Sequence, residues 1–263
     1  MQASIVAAPG DSGLVRLPPR AAPAAAQPIA TAASAASAGA ERGLVRLLPR
    51  APGAGRSVRQ AADRSAAFRV LVSVDERRLW VVQGRDTLFR APIAVGTGRV
   101  LRHGDRAWRF ETPRSVRSVL AKQSNPVWVP PDWHYAELAA DSGWTLVPLG
   151  RGRPARLPDG SRLEVRGDLV AHVRPDGGME FIPEGEEVVF GTTLYMPPVG
   201  TARRVPGELG AYKLDLGNGY MLHGTPHKES IGQAATHGCI RLDDDAIAHL
   251  YRTVPVGTPV YIF

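Results

Sequence analysis

The sequence predicts a mainly β protein, and three observations lead to that prediction. Apolar residues alternate with other residues along short segments, as at Val70, Val72 and Val74, which is typical of strands with one buried face. Turn formers such as Pro158-Asp159-Gly160 and Pro175-Asp176-Gly177-Gly178 separate the alternating segments. Helical periodicity is confined to two short segments, so helices should be a minority of the fold.

The predicted elements follow one another from residue 70 onward. The first two strands flank the polar turn Asp75-Glu76-Arg77-Arg78 and form a hairpin. The predicted strands cover residues 70–74, 79–82, 88–95, 162–165, 169–173, 187–195, 211–216, 220–223 and 259–263. Helices are predicted at 135–140 and 243–252, and in the second of these Ile247, Leu250 and Tyr251 share one face.

Residues 1–67 form an Ala/Pro/Arg-rich stretch with almost no aromatic residues, so we expect a disordered tail that cannot bury enough apolar surface to fold. Within it GLVRLPPRAAP (13–23) is echoed by GLVRLLPRAP (43–52). Two copies are too few for a solenoid; they could be docking motifs or a low-complexity duplication. The remaining residues, 68–263, are enough for one domain with a sizeable core.

The positive charge of the chain is concentrated in this tail. The formal net charge is +7, and residues 1–67 contribute +5 of it through eight arginines and three acidic residues. A nucleic-acid-binding protein should carry such charge as a patch on the folded domain, so no nucleic-acid partner is expected. The tail could be a soluble spacer or could hold the protein near an anionic envelope.

Cys239 is the only cysteine, and it lies in Thr236-His237-Gly238-Cys239-Ile240-Arg241-Leu242, downstream of His223-Gly224. A catalytic cysteine attacks as the thiolate and needs a nearby imidazole, for which His223 and His237 are the candidates. A glycine beside the cysteine permits a tight turn. The N–H groups of His237, Gly238 and Cys239 could then stabilise a developing oxyanion.

Two other interpretations of these residues remain open. A lone cysteine can be a small buried apolar residue with no chemistry. His223, His227, His237 and Cys239 also include spacings found in zinc sites, although Pro226 disfavours a helix that presents both of the first two histidines. We expect no metal and no cofactor.

The two motifs together resemble the signature of the L,D-transpeptidase catalytic domain (YkuD-type) of bacterial cell-wall enzymes. That signature is a His-Gly pair followed, about a dozen residues later, by Ser/Thr-His-Gly-Cys, an apolar residue and Arg or Asn. The similarity extends to residues 68–98, to Glu111-Thr112-Pro113 and Asn125-Pro126-Val127-Trp128, and to 206–222 and 256–262. Residues 132–196 match no landmark of the family and are predicted to be a β-rich insertion, either a lid or a separate small β layer.

The resemblance implies a mixed β-sandwich or barrel-like catalytic domain and an acyl transfer on peptidoglycan stem peptides. Cys239 would be the nucleophile and His223 the general base, oriented by the carbonyl of Gly224. His237 and Gly238 would shape the loop and the oxyanion site. Arg241, Thr236 and Tyr212 are the predicted substrate-binding residues.

The implied reaction forms a thioester at Cys239, releases a terminal D-alanine and transfers the acyl group to an amine of a neighbouring stem. Carbapenem-type β-lactams are the expected covalent inhibitors. Two alternatives keep the same fold: an L,D-carboxypeptidase, in which water is the acceptor, and a non-catalytic cell-wall binding module.

The expected location is the cell envelope or periplasm. No stretch approaches the roughly 20 apolar residues of a transmembrane helix. The start, MQASIVAAPGDSG, lacks the charged segment and apolar core of a secretion signal, so we expect that a signal has been removed.

Overall fold

The structure is a computed structural model that describes residues 13–19 and 53–263. It is mainly β, which confirms the predicted fold class. The chain forms two compact units. The insert unit comprises Val127–Val205 together with the strand Leu14–Leu17, and the core unit comprises residues 53–126 and 206–263.

The core unit contains two larger sheets and two strand pairs. The five-stranded sheet has the order Asp86–Pro92, Arg78–Gln83, Arg69–Ser73, Pro259–Ile262, Ser115–Ser118. The four-stranded sheet, called here the His223 sheet, has the order Ile240–Arg241, Met221–His223, Tyr212–Asp215, Ala121–Ser124. Val95–Gly96 pairs with Ala234–Thr236, and Val100–His103 pairs with Arg106–Arg109.

One large apolar core packs the two larger sheets against the helix Asp244–Thr253. Alternate residues of the strands enter it, among them Val70, Leu79 and Leu222, and the helix contributes Ile247 and Leu250. The helix begins where predicted because the Asp243 carboxylate accepts a hydrogen bond from the Ala246 N–H at 2.7 Å. The predicted apolar face of this helix is therefore the face that packs on the sheets.

The insert unit also consists of two four-stranded sheets. Their orders are Leu14–Leu17, Glu187–Phe190, Thr193–Met196, Thr145–Pro148 and Ala155–Arg156, Arg162–Arg166, Leu169–Val173, Met179–Phe181. Val127–Trp128 pairs with Val205–Pro206. The helix Asp132–Ser142 and the 3₁₀ turn Thr201–Arg203 belong to this unit, and a second 3₁₀ turn, Lys228–Ser230, belongs to the core unit.

The insert unit packs several of its large aromatic side chains in its own core. Tyr135 is buried, and Trp144 packs against the same cluster as Leu138 and Leu194. The predicted strand 187–195 is divided at Gly191, where a positive φ of 57° turns the chain into an antiparallel hairpin. A lid role for this unit stays a prediction.

The prediction that residues 1–67 are disordered is wrong for two segments. Leu14–Leu17 pairs antiparallel with Glu187–Phe190, so the first copy of the repeat is an edge strand of the insert unit. Ala54–Arg64 is a helix whose Ala62 is buried with Leu71 and Val82. Each segment packs against strands that are distant in sequence. Composition alone does not indicate such contacts. The second copy of the repeat lies outside the described residues.

Among the described residues, no helix is long and apolar enough to cross a membrane.

Candidate active site

The candidate site lies on the face of the His223 sheet that points away from the apolar core. Leu222, Ile240 and Leu214 point from these strands into the buried core. Because side chains alternate along a strand, His223 and Arg241 point to the opposite face, and they are partners in the parallel register. Cys239 lies just before the strand Ile240–Arg241. It falls on the same face as Arg241, next to Met221 of the neighbouring strand.

His223 is held in one orientation and one tautomer. Its Nδ1 lies 2.6 Å from the carbonyl oxygen of Gly224, and because a carbonyl only accepts, Nδ1 carries the proton. Burial and the neighbouring charges of Arg241 and Lys213 lower the pKa of His223 to about 3, against the opposing effect of the Gly224 carbonyl. His223 therefore presents a neutral Nε2 that can accept a proton.

Cys239 is a free and partly exposed thiol. Its Sγ lies 3.6 Å from the carbonyl oxygen of Gly219. Desolvation raises the pKa of the thiol, and the carboxylate of Asp215 acts in the same direction, while the Met221 N–H and the Arg241 charge act against it. The resting site thus holds a protonated thiol and a neutral imidazole on the same face of the sheet. Nucleophilic attack then requires the imidazole to remove the proton.

A threonine from another part of the chain fixes the Cys239 loop. Thr112 Oγ1 accepts the N–H of Gly96 and donates to the carbonyl of Gly238, each at 2.9 Å. Thr236 is buried, and its hydroxyl donates to the Cys239 carbonyl at 2.6 Å and accepts the Gly238 N–H at 3.1 Å. The loop is therefore preorganised by internal hydrogen bonds.

The Thr236 contacts correct two predictions. Thr236 was predicted to bind substrate, but its hydroxyl both donates and accepts a hydrogen bond within the loop. Gly238 was predicted to offer an oxyanion donor, but its N–H is occupied by the same hydroxyl. Cys239 supplies the amide nearest the sulfur.

The two glycines of the motifs are required by close backbone contacts. A Cβ on Gly238, which has a φ of +128°, would lie 2.9 Å from the carbonyl oxygen of Glu111. At Gly224 a Cβ would lie 3.2 Å from both Gly210 Cα and Ile247 Cγ2. The glycine after His223 therefore lets the histidine strand pack against the C-terminal helix.

Arg241 is buried, yet one of its guanidinium nitrogens is unpaired. Only 3% of the residue is exposed, and within the described part of the chain its Nη1 has no hydrogen-bond acceptor. Burial lowers the pKa of the guanidinium, while the charges of Glu208, Cys239 and Glu229 raise it. An unsatisfied buried cation is unusual and is consistent with the predicted ligand-binding role.

Tyr212 was predicted to bind substrate, and the structure places it elsewhere. Its ring stacks on Tyr251 of the C-terminal helix with centroids 4.3 Å apart. The neighbouring Leu214, which shares its strand face, is fully buried. Tyr212 thus lies on the core side of the sheet, because strand alternation puts it opposite Lys213 and His223.

His237 contacts the loop surroundings. Its ring meets the buried Phe110 edge-on, with centroids 4.4 Å apart. The role predicted for His237, shaping the loop, stays a prediction.

Sequence reasoning missed Lys213 and the role of Thr112. Lys213 is the antiparallel register partner of His223 and so shares its face. The turn Gly217-Asn218-Gly219 marks the hairpin that sets this register and was the available signal. Thr112 lies in a segment that resembled the family, but nothing local in the sequence indicates that it bonds to a loop 126 residues away.

Of the histidines in the zinc alternative, His227 contacts two carboxylates of the core unit. His227 lies 3.7 Å from Glu208 through Nε2 and 3.6 Å from Glu229 through Nδ1. No group of three His, Cys, Asp or Glu side chains suited to a metal occurs within the described ranges 13–19 and 53–263.

Comparisons with known proteins agree on one family. The sequence profile of the YkuD family, the L,D-transpeptidase catalytic domain, matches residues 67–262. A probable L,D-transpeptidase ErfK/SrfK of Salmonella typhimurium is 30% identical over 73% of this chain, and the match spans 43% of that protein. A putative L,D-transpeptidase YkuD of Bacillus licheniformis is 44% identical over 46% of this chain and 75% of its own length.

Solved structures of low identity are also similar. L,D-transpeptidase 3 from Mycobacterium tuberculosis, in complex with a faropenem-derived adduct, is 17% identical with a TM-score of 0.36, covering 74% of this chain and 60% of that one. The profile match over most of the chain identifies the family without these structures. This chain belongs to the L,D-transpeptidase catalytic domain (YkuD) family.

Proposed function

We propose that the chain is a cysteine-dependent L,D-transpeptidase that acts on peptidoglycan stem peptides in the cell envelope. The observation that carries this proposal is the His223 tautomer. Nδ1–H is bound to the Gly224 carbonyl, so a neutral Nε2 is available on the sheet face that also carries Cys239. A fixed base beside a preorganised thiol loop is what acyl transfer through a thioester requires.

In the first half-reaction Cys239 Sγ attacks the carbonyl of the diamino-acid residue that precedes a terminal D-alanine, and His223 Nε2 takes the thiol proton. The Cys239 N–H donates to the resulting oxyanion. Collapse of the tetrahedral species breaks the amide bond, and the proton on His223 passes to the departing amine of D-alanine. The product is a thioester at Cys239.

In the second half-reaction the amine of a neighbouring stem attacks the thioester. His223 Nε2 accepts the proton of this amine, the C–S bond breaks, and the thiolate takes that proton back. One amide bond is broken and one is formed, so no external energy source is needed. The buried loop hydrogen bonds of Thr112 and Thr236 keep the sulfur in place through both steps.

The test is incubation of the purified protein with tetrapeptide stems, with the products resolved by mass. We expect a crosslinked dimer with loss of one D-alanine per crosslink, absent in Cys239→Ala. Tripeptide and free D-alanine without crosslinks would instead identify an L,D-carboxypeptidase. Bound but unaltered stems would indicate a non-catalytic binding module.

A further inference from the structure

A row of four side chains crosses the His223 sheet beside Cys239. The strand registers align Arg241 with His223, His223 with Lys213, and Lys213 with Gln123. Lys213 is half-buried and points to the same face as His223, because Leu214 next to it points into the core. His223 is therefore flanked by a cation on each side.

Neither of these cations has an ion-pair partner in the part of the chain that the structure describes. Among the described residues no carboxylate lies within ion-pair distance of Lys213, and Arg241 Nη1 has no hydrogen-bond acceptor. Lys122, on the other face of the same sheet, differs because it has hydrogen-bond partners within the protein. Its Nζ donates to the carbonyls of Tyr251 at 2.7 Å and Val254 at 3.1 Å, near the end of the C-terminal helix.

The acidic side chains near this face contact other groups, although the charges of Glu208 and Glu229 also act on Arg241. Asp215 accepts the Gly217 N–H at 2.7 Å, and Glu208 lies 3.7 Å from His227. A buried or half-buried cation without a partner is costly unless a ligand supplies the anion. The face therefore suits an anionic group next to the reacting carbonyl.

We propose that Lys213 and Arg241 form a subsite that binds carboxylate groups of the donor stem peptide on the two sides of His223. The inference rests on the proposed function for the identity of the donor. A donor with a terminal D-alanine carries a carboxylate at its end, and a diamino acid with a second carboxyl group carries another beside the scissile bond. Lys213 is the specificity-determining residue of the pair, since it is the more accessible cation.

The test is equilibrium binding of donor peptides to the full chain carrying Cys239→Ala, which cannot turn them over. Three donors are compared: the free acid, one with the terminal carboxylate amidated, and one with the diamino-acid carboxylate amidated. We expect Lys213→Met to raise the Kd of the free acid about 10- to 100-fold, as for loss of a charge-assisted hydrogen bond. The same substitution should change the Kd by less than about twofold for the donor that lacks the recognised carboxylate.

Three controls keep the result specific. Lys213→Arg should restore most of the affinity, because it keeps the charge. Lys228→Met removes an exposed lysine that pairs with Asp244 and should leave binding unchanged. Arg241→Lys should weaken binding of the amidated donor that keeps the carboxylate bound by Arg241 and should not affect the other amidated donor. The unaffected donor therefore identifies the carboxylate that Arg241 binds.

Two results would overturn the subsite. In the first, Lys213→Met weakens the acid and both amides equally. In the second, it leaves every Kd unchanged and only shifts the pH profile of the intact enzyme. The assay does not require turnover, so an inactive wild-type protein with carboxylate-dependent binding would refute the proposed reaction and support the subsite.

Discussion

The two units of the chain each bury an arginine, and the two arginines differ in how they are satisfied. Arg203 of the insert unit is 2% exposed and donates to the carbonyls of Pro197 and Pro130 and to the Asp132 carboxylate, with its guanidinium 4.8 Å above the Tyr135 ring. Arg241 of the core unit is equally buried, but its Nη1 has no acceptor among the described residues. The first guanidinium has hydrogen-bond partners within its own unit, and one nitrogen of the second has none among the described residues.

The buried histidines repeat this difference. His134 of the insert unit contacts the carboxylate of Glu187 at 2.9 Å, with both side chains almost fully buried. His223 of the core unit contacts a neutral carbonyl and lies beside two cations, which keeps its ring unprotonated. His134 uses its Nε2 in the contact with Glu187, whereas His223 uses Nδ1, so the Nε2 of His223 can accept a proton.

The largest expected effect is the loss of covalent labelling at Cys239. Intact-protein mass spectrometry after treatment with a carbapenem should show one adduct per chain, because the strained lactam carbonyl resembles the donor amide. Cys239→Ala should show none. His223→Ala should slow acylation by about 10²- to 10⁴-fold, the usual contribution of a general base.

The matched substitution His237→Ala should slow labelling by less than about tenfold, since His237 packs against Phe110. Equal losses for His223→Ala and His237→Ala would mean that the base is assigned to the wrong histidine.

Replacing each of the two arginines by methionine should change the free energy of unfolding by different amounts. Arg203→Met removes the partner of a buried ion pair and leaves two carbonyls unpaired, so we expect a loss of about 3–5 kcal/mol in the free energy of unfolding. Arg241→Met removes an unsatisfied cation, and its stability should change by less than about 1 kcal/mol. Denaturant titration measures both, and similar losses would refute the distinction between them.

The strand Leu14–Leu17 should make a smaller contribution to the stability of the insert unit. Deleting 13–19 exposes the edge of Glu187–Phe190 and the apolar surface that Leu14 and Leu17 cover, which we expect to cost about 1–2 kcal/mol. The matched deletion of 21–27 removes seven tail residues without touching the strand. Hydrogen exchange of the Val188 and Val189 amides should report the loss, and unchanged protection would show that the strand adds nothing.

The smallest expected effect is on the pH dependence of thiol alkylation. Burial raises the pKa of Cys239, and His223 stays neutral down to about pH 3, so no thiolate–imidazolium pair forms at neutral pH. The rate of iodoacetamide alkylation should therefore keep rising through pH 8, since thiolate increases about tenfold per pH unit below its pKa. A plateau between pH 5 and 7 would instead reveal a preformed ion pair.

Much of the fold could be predicted because its signals are local. The strand through Val70 and Val72 and the helix that follows Asp243 both appear where expected, although the strand ends at Ser73 and is buried on both faces. The hairpin Val100–His103 with Arg106–Arg109 was not predicted, because its strands are short and rich in charged residues and lack a clear apolar face. The tail strand was missed for another reason: its partner lies about 170 residues away.

The sequence by itself determined the residues that can perform the chemistry: a single thiol, a preceding His-Gly pair, and a glycine beside the cysteine, in an order that identifies the family. Only the tertiary structure decided how the other side chains are used. Strand register placed Lys213 beside His223 and turned Tyr212 into the core, and long-range hydrogen bonds committed Thr112 and Thr236 to the loop. Motifs record which groups are present, but register and burial decide which face each group points to and whether its hydrogen bonds are already used.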